Sequence, residues 1–297
     1  MNNLFLYSAV VLIWGSTFLG ITFQLGVVDP LISLIYRFAL AVLLLLGWCR
    51  LKGLNLRIPR HHHPYLFYQG SCLFAINYWF VYLAEEHITS GIVALIFTTI
   101  IFFNIVNGRL FLKRKVEPQV IGGALLGFMG IALVYYPEVG HLSWESNAIA
   151  GLLFGIGAPI VASLGNIAAT RNGQHKLPVV QTNTWSMAYG TLLMLLIALL
   201  LDKPFTMDWS AAYVISMAFL VVFGTVIAFG CYLLLLQRIG PERAAYSALL
   251  IPLVALGLST LFEGYQWTLF GLLGLIMILG GNYFALKKPE AKNKSAT

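Results

Sequence analysis

Ten long apolar stretches leave this chain almost no room for anything else. They run at about 4–26, 30–51, 64–84, 90–112, 118–137, 148–169, 178–201, 210–236, 243–262 and 266–286. Each is close to the ~20 residues a helix needs to cross the hydrocarbon core of a bilayer. In lipid the backbone must bond to itself, so stretches this long are expected as helices; a barrel would show ~10-residue alternating strands. Composition agrees: of 297 residues, 59% are hydrophobic and only 10% charged, against roughly 25% charged in an ordinary soluble domain. That excludes a soluble enzyme, a secreted disulfide scaffold, a disordered chain and an anchor carrying a sizeable soluble domain. The first stretch follows Met1-Asn2-Asn3 with no basic region before it, and reads as a first span rather than a cleaved signal peptide.

Lys and Arg give the orientation. With both termini on one side and the connections alternating, fifteen of the eighteen basic residues fall on the side of the termini. Only Lys203 falls on the other, and Arg37 and Arg109 lie inside spans. The positive-inside rule then places the N- and C-termini in the cytoplasm of a bacterial inner membrane. The net charge of +7 is a topology signal on this reading, and no nucleic-acid partner is expected. Asn293-Lys294-Ser295 matches a glycosylation acceptor but sits in the cytoplasmic tail and is discounted. Cys49, Cys72 and Cys231 are odd in number, fit neither a zinc nor a disulfide spacing, and read as packing residues. Consecutive residues on a helix point about 100° apart, so His61-His62-His63 cannot form a ligand pair. No metal and no cofactor are expected.

The chain looks duplicated, as residues 1–140 and 141–297. A shift of 149 places Arg114 on Glu263 and Gly122 on Gly271; a shift of 148 places Pro30 on Pro178, each starting a span. Five helices per half is an odd number, so the second half would enter the membrane upside down. Inverted repeats of this kind enclose a site near the midplane that opens to either side by rocking. The expected fold is therefore an all-α membrane protein of ten transmembrane helices, a 5+5 inverted-topology repeat with both termini inside.

Three motifs carry a family likeness. Trp14-Gly15-Ser16-Thr17-Phe18 lies in span one, Tyr36-Arg37-Phe38-Ala39-Leu40-Ala41 in span two, and Leu249-Leu250-Ile251-Pro252-Leu253-Val254-Ala255 in span nine, followed by Glu263 and Gly271. With the 5+5 layout, the chain resembles the ten-helix bacterial EamA members of the drug/metabolite transporter superfamily. The resemblance implies an inner-membrane carrier, often an exporter of amino acids or other small metabolites. It also implies a central cavity lined by helices one, three, four, six, eight and nine. The family often has Pro in helix four, where Phe103 stands here, and Glu after it, where Arg114 stands. The first half thus loses a helix breaker.

The residues themselves point to a site. Helix breaks near mid-membrane mark binding sites in carriers, and Gly15, Pro159 and Pro252 fall midway along their spans. Polar groups in hydrocarbon usually face the bundle interior. That set is Trp14, Ser16 and Thr17, then Asn77 and Tyr78, then Thr98 and Asn104. Ser163, Asn166, Thr225 and Tyr246 extend it into the second half. Phe74, Tyr78 and Tyr82 share one face at fourfold spacing, and Thr225, Phe229 and Tyr232 another. Such faces suit stacking on a flat or amphipathic ligand while amides orient it; interhelical bonding is the alternative for any one residue.

Charge in the spans is sparse. No Asp or Glu is expected deep in an apolar stretch, and Glu85, Glu86 and His87 form a candidate proton site at the outer rim. Arg37 either holds a substrate carboxylate or serves structure by snorkelling outward or bonding carbonyls. Without a deep carboxylate or His there is no catalytic constellation, so no enzyme is expected. The reading is a monomeric carrier in the lipid bilayer for a small neutral or zwitterionic metabolite, best an amino acid moved outward by alternating access. The alternatives are a carrier of nucleobase-like or drug-like solutes, or, in another class, an intramembrane scaffold or enzyme.

Overall fold

The structure is a computed structural model that describes residues 2–88, 90–113, 117–139, 146–262 and 268–286. The expectations resting on Arg114, Glu263 and the basic tail lie outside these residues. Among the described residues the chain is helical, with no strand. Helix α1 is Asn3–Thr22 and α2 is Pro30–Leu51. Helix α3 (63–85) runs through His63–Gly70, a π-helical stretch Ser71–Ile76, and Asn77–Glu85. Helix α4 (90–112) consists of Ser90–Phe97 and Ile100–Leu112. Then come α5 (Pro118–Val139), α6 (Ser146–Gln174) and α7 (Val179–Leu200). Helix α8 (211–239) repeats the pattern of α3: Ala211–Phe219, a π-helical stretch Leu220–Ile227, and Ala228–Ile239. A turn at Pro241–Ala244 leads into α9 (Ser247–Phe262), and α10 is Leu269–Leu286.

A helix thus occupies each apolar stretch, with ends within a few residues of those read from the sequence. Among the described residues, six helices are long and apolar enough to cross a membrane: α1, α2, α6, α7, α8 and the 93–112 part of α4. In α5 and α10 the apolar runs found among the described residues are Pro118–Gly130 and Leu269–Phe284.

Local chemistry sets the ends. Asn2 caps α1 by accepting from the Phe5 N–H at 2.8 Å, and Asp29 caps α2 by accepting from Leu31 N–H at 2.9 Å, with Pro30 at the first helical position. Gly240, at φ 88°, ends α8 in a conformation that side chains resist. Within α4, the Thr98 and Thr99 hydroxyls bond the carbonyls of Leu95 and Ile96 at 2.7 Å each. Hydroxyls that occupy helix carbonyls bend the helix, and the α4 ladder is interrupted there.

The molecule is apolar outside as well as inside. On α2, Leu31, Leu34, Phe38, Ala41 and Leu45 are buried, while Leu40, Leu43 and Leu44 on the far side are exposed. Leu192, Leu196, Ile215 and Ile276 are exposed elsewhere. In water this would be one continuous sticky surface; hydrocarbon is the solvent it fits. Exposed Trp48 and Trp209 stand near helix ends, where indoles sit at the membrane–water boundary.

The helices pair in a repeating pattern. Helix α1 packs on α8 and α9, while α6 packs on α3 and α4; α2 meets α7, and α5 meets α10. The α5–α10 contact runs backbone to backbone. A Cβ on Gly281 would stand 2.5 Å from the Gly123 carbonyl oxygen, and one on Gly130 2.6 Å from that of Gly274. No side chain larger than hydrogen fits either place, which is how small residues bring helices together in lipid.

Candidate functional site

One cavity opens between α1, α3, α4, α6, α8 and α9, the six helices that the resemblance implies. It encloses about 680 Å³, its open mouth included. Trp14, Thr17, Phe18 and Ile21 form the α1 wall, and Leu73, Asn77, Tyr78 and Val81 the α3 wall. Helix α4 adds Ala94, Phe97 and Ile100, and α9 adds Ala248 and Ile251. Ala162 and Asn166 come from α6, and Phe229 and Tyr232 from α8. Among the described residues, no lining side chain carries a formal charge.

Numbering reveals a pattern in this lining. An offset of 148 pairs Trp14 with Ala162 and Phe18 with Asn166. An offset of 151 pairs Tyr78 with Phe229, Val81 with Tyr232, Phe97 with Ala248 and Ile100 with Ile251. The π-helical stretches Ser71–Ile76 and Leu220–Ile227 stand in the same relation. Bulk in one half meets smallness in the other: Trp14 and Phe97 answer to alanines, which leaves the space.

The aromatic wall is held in place from behind. The Trp14 indole donates to the Gly224 carbonyl at 3.1 Å, inside the α8 π-stretch, where wide turns free backbone groups and often mark functional sites. Its ring lies 5.0 Å from that of Phe229 and 4.9 Å from that of Tyr232. Thr17 spends its hydroxyl on the Trp14 carbonyl at 2.8 Å.

Two backbone carbonyls fix the polarity of the amides. Asn77 donates through Nδ2 to the Leu73 carbonyl at 3.4 Å, so its oxygen points the other way. Asn104 donates to the Pro241 carbonyl at 3.1 Å, so its oxygen receives Nδ2 of Asn166 at 3.4 Å. That leaves Asn77 Oδ1 and Asn166 Oδ1 buried without a hydrogen-bond partner. Both belong to cavity-lining residues, with the Tyr232 hydroxyl close to the Asn104–Asn166 pair.

Of the residues singled out in the sequence, Trp14, Thr17, Asn77, Tyr78, Asn166 and Phe229 line the cavity. The others stand elsewhere. Ser16 bonds back to the Leu12 and Ile13 carbonyls. Phe74 is fully buried against Phe38 and Phe229. Thr98 is used in the α4 break. Asn104 supports Asn166 from behind, Ser163 accepts from Asn107 at 2.9 Å, and Tyr246 donates to the Val120 carbonyl. Gly15 is a contact between helices: a Cβ there would stand 2.5 Å from Val254 Cβ on α9. Pro159 lies inside α6 one turn before Ala162, and Pro252 inside α9 next to Ile251, so both breaks border the lining.

The charged residues depart most from expectation. Arg37 neither snorkels nor bonds carbonyls, and it lies outside the lining; it is 1% exposed and donates to Thr225 Oγ1 at 2.9 Å. Thr225 in turn donates to the Leu220 carbonyl at 2.9 Å, the five-residue reach of a π-turn. The rim cluster divides. Glu86 and His87 are exposed, whereas both carboxylate oxygens of Glu85 are buried. Burial raises Glu86 above the ordinary carboxylate range, with His87 opposing. Glu85 stands at the end of its span, where the sequence puts it, but the last turn of α3 carries its carboxylate oxygens inward, a rotation that span counting cannot see.

Phe18, Ile21, Leu73, Val81, Ala94, Phe97, Ile100, Ala162, Ala248 and Ile251 were not singled out in the sequence, and Tyr232 only as an aromatic neighbour. Phe18 and Ile21 continue the Trp14 face at helical spacing, a signal that was available. Ala162 and Ala248 stand out only through the offset pairing, and nothing in the sequence marks Ala94.

An apolar-skinned helical bundle around an uncharged, aromatic-walled cavity is the build of a membrane transport protein. The model of the EamA-like transporter family matches residues 2–136 and again 149–287. The chain belongs to this family and is a membrane transporter of that type. It is similar to the inner membrane transporter YedA of Escherichia coli K12, 27% identical over 292 residues, covering 95% of this chain and 92% of that one. A Salmonella typhimurium protein named as a probable amino-acid metabolite efflux pump is 24% identical, covering 94% and 93%. A solved crystal structure superimposes with a TM-score of 0.78 over 95% of both chains at 15% identity, a likeness of fold.

Proposed function

We propose that this chain carries a small zwitterionic or neutral solute, best an amino acid with a bulky or aromatic side chain, outward across the inner membrane. The observation that carries the proposal is the polarity of the lining. Among the described residues, two buried acceptors on the lining residues, Asn77 Oδ1 and Asn166 Oδ1, lack a hydrogen-bond partner, and aromatic rings share the lining. Amide oxygens and ring faces both favour an ammonium group, and the apolar remainder of the wall suits a large side chain. Multiply charged phosphate esters would want clustered Arg and Lys, which the lining lacks. The name of the Salmonella relative and the inner-membrane setting of YedA support the same reading.

The paired lining and the mirrored packing of α1 with α6 support two inverted five-helix units, 1–140 and 141–297, enclosing the site and rocking about it. The six cavity-lining residues singled out in the sequence are the substrate contacts on this reading. Pro159 and Pro252 are the breaks that bend α6 and α9.

Thermal stabilisation of the purified protein against amino acids, nucleobases, sugars and cationic drugs tests the proposal, since a ligand of the folded state raises the melting temperature. An aromatic or bulky amino acid is expected to stabilise. Asn77→Leu, which removes one acceptor, should weaken it about tenfold or more, the worth of a hydrogen bond to a charged group. Stabilisation by sugars or nucleobases alone, or an undiminished response in Asn77→Leu, overturns the substrate assignment.

A further inference from the structure

Just outside the cavity, an Arg and a Glu each carry buried polar atoms without a hydrogen-bond partner. Arg37 on α2 donates from Nε to Thr225 on α8, and its Nη1 lies 3.5 Å from the Tyr82 hydroxyl. The guanidinium sits 4.8 Å from the centre of the Tyr78 ring, which itself lines the cavity. Its Nη2 is buried without a partner. One turn beyond Tyr82, both carboxylate oxygens of Glu85 are buried without a hydrogen-bond partner, and Arg37 is the cation whose field acts on them. A carboxylate withdrawn from water is costly when ionised unless something answers its charge. In this conformation the nearby guanidinium is turned to hydroxyls instead.

The other groups around Glu85 do not answer it either. Helix α3 itself offers Tyr78 and Tyr82, and its π-stretch only Cys72, at the far end. From α2, Asp29 is held by Lys203 at 2.7 Å. From α8, Tyr213 shares a 2.9 Å hydrogen bond with Ser33. The Ser90–Phe97 part of α4 carries no charged residue, and α6 carries only Arg171, in its last turn. Glu86 and His87 face solvent.

We propose that Glu85 is a proton-binding site set apart from the substrate cavity, and that Arg37 governs it by exchanging Thr225 for Glu85 when α8 moves. With Arg37 on Thr225, Glu85 holds a proton on its carboxyl. When α8 draws Thr225 away, the guanidinium turns to the carboxylate and the proton leaves to water on the side then open. Thr225 lies in the α8 π-stretch, which also holds the Trp14 indole. A displacement of the cavity wall by ligand therefore pulls on the same element. The proton site stands on its own geometry; its link to transport rests on the carrier reading above.

Infrared difference spectra of the purified protein between neutral and alkaline buffer test it without any substrate. The expected result is a protonated-carboxyl band at neutral pH that vanishes in alkali, is absent in Glu85→Gln and persists in Glu86→Gln. Thr225→Val, which keeps the shape but releases Arg37, should move the pH of disappearance down by about one unit, a tenfold loss of proton affinity. Arg37→Met, should it fold, moves it up. A band that survives Glu85→Gln, or none in the wild type, overturns the site; an unmoved midpoint in Thr225→Val overturns the role of Arg37. Ligand stabilisation does not depend on this band, so each proposal can fail alone.

Discussion

A buried amide has two ends, and its usefulness depends on which one is already spoken for. At Asn77 and Asn166 the donors are taken, directly by the Leu73 carbonyl and through Asn104 by that of Pro241, so acceptors remain for a ligand. The histidines at the start of α3 are held in place as well. His63 donates from Nε2 to the Ile58 carbonyl at 3.1 Å, and its Nδ1 shares a 2.7 Å hydrogen bond with the Tyr189 hydroxyl. His62 accepts from Arg171 Nη1 at 3.2 Å, which requires a neutral ring. Burial first, then the charges of His61, Arg171 and His175, hold His62 below the ordinary His range. The unfolded chain therefore takes up this proton near pH ~6.5, the folded one only at lower pH. Stability from His62 is complete above that value and is lost as pH falls through the interval. The apparent melting temperature of the wild type should drop more steeply on acidification than that of His62→Gln; parallel curves would assign the drop to other groups.

Helices here are placed by what they lack. A Cβ on Gly70 of α3 would run into the Ser186 carbonyl of α7 and stand 3.1 Å from Gly190 N. Gly47, exposed in α2, would meet nothing within 4 Å. The same substitution should therefore have opposite effects. Gly70→Ala should destabilise by about 1–3 kcal/mol, as overpacking does, and Gly47→Ala should be neutral or stabilise by up to ~1 kcal/mol through helix propensity. Melting temperatures that shift alike in one detergent would contradict this. The helices themselves were legible because a ~20-residue apolar run in lipid has one backbone solution. The π-stretches in α3 and α8 were not. A single widened turn leaves the apolar pattern intact while rotating everything beyond it, and so it turns Asn77, Tyr78 and Glu85 to their present faces.

Across the whole molecule, contacts decide which helix ends lie together, and charge decides which end faces the cytoplasm. Lys203 meets Asp29, Arg243 meets Glu117 at 2.7 Å, and Arg171 lies over Tyr65 and beside His62. Each of these contacts joins groups that the basic-residue count puts on the same side. We expect both termini in the cytoplasm. In a chain freed of Cys49, Cys72 and Cys231, a membrane-impermeant thiol reagent applied to intact, outer-membrane-permeabilised cells should label Thr206→Cys and spare Asn55→Cys. The reverse pattern would invert the topology and with it the outward sense of the rim.

The sequence by itself determined the solvent, the helical segments and their order, because each follows from composition or spacing along the chain. It also marked six of the cavity residues, since polar and aromatic groups stand out against hydrocarbon. Only the tertiary structure decided the rest. It separated Asn166, which lines the cavity, from Asn104, which holds it. It set Gly15 in close contact with Val254, and it drew the Arg37 guanidinium and the Glu85 carboxylate oxygens inward. These outcomes depend on helix rotation and on neighbours more than a hundred residues away, such as Thr225 for Arg37, and no local pattern encodes the angle at which two helices meet.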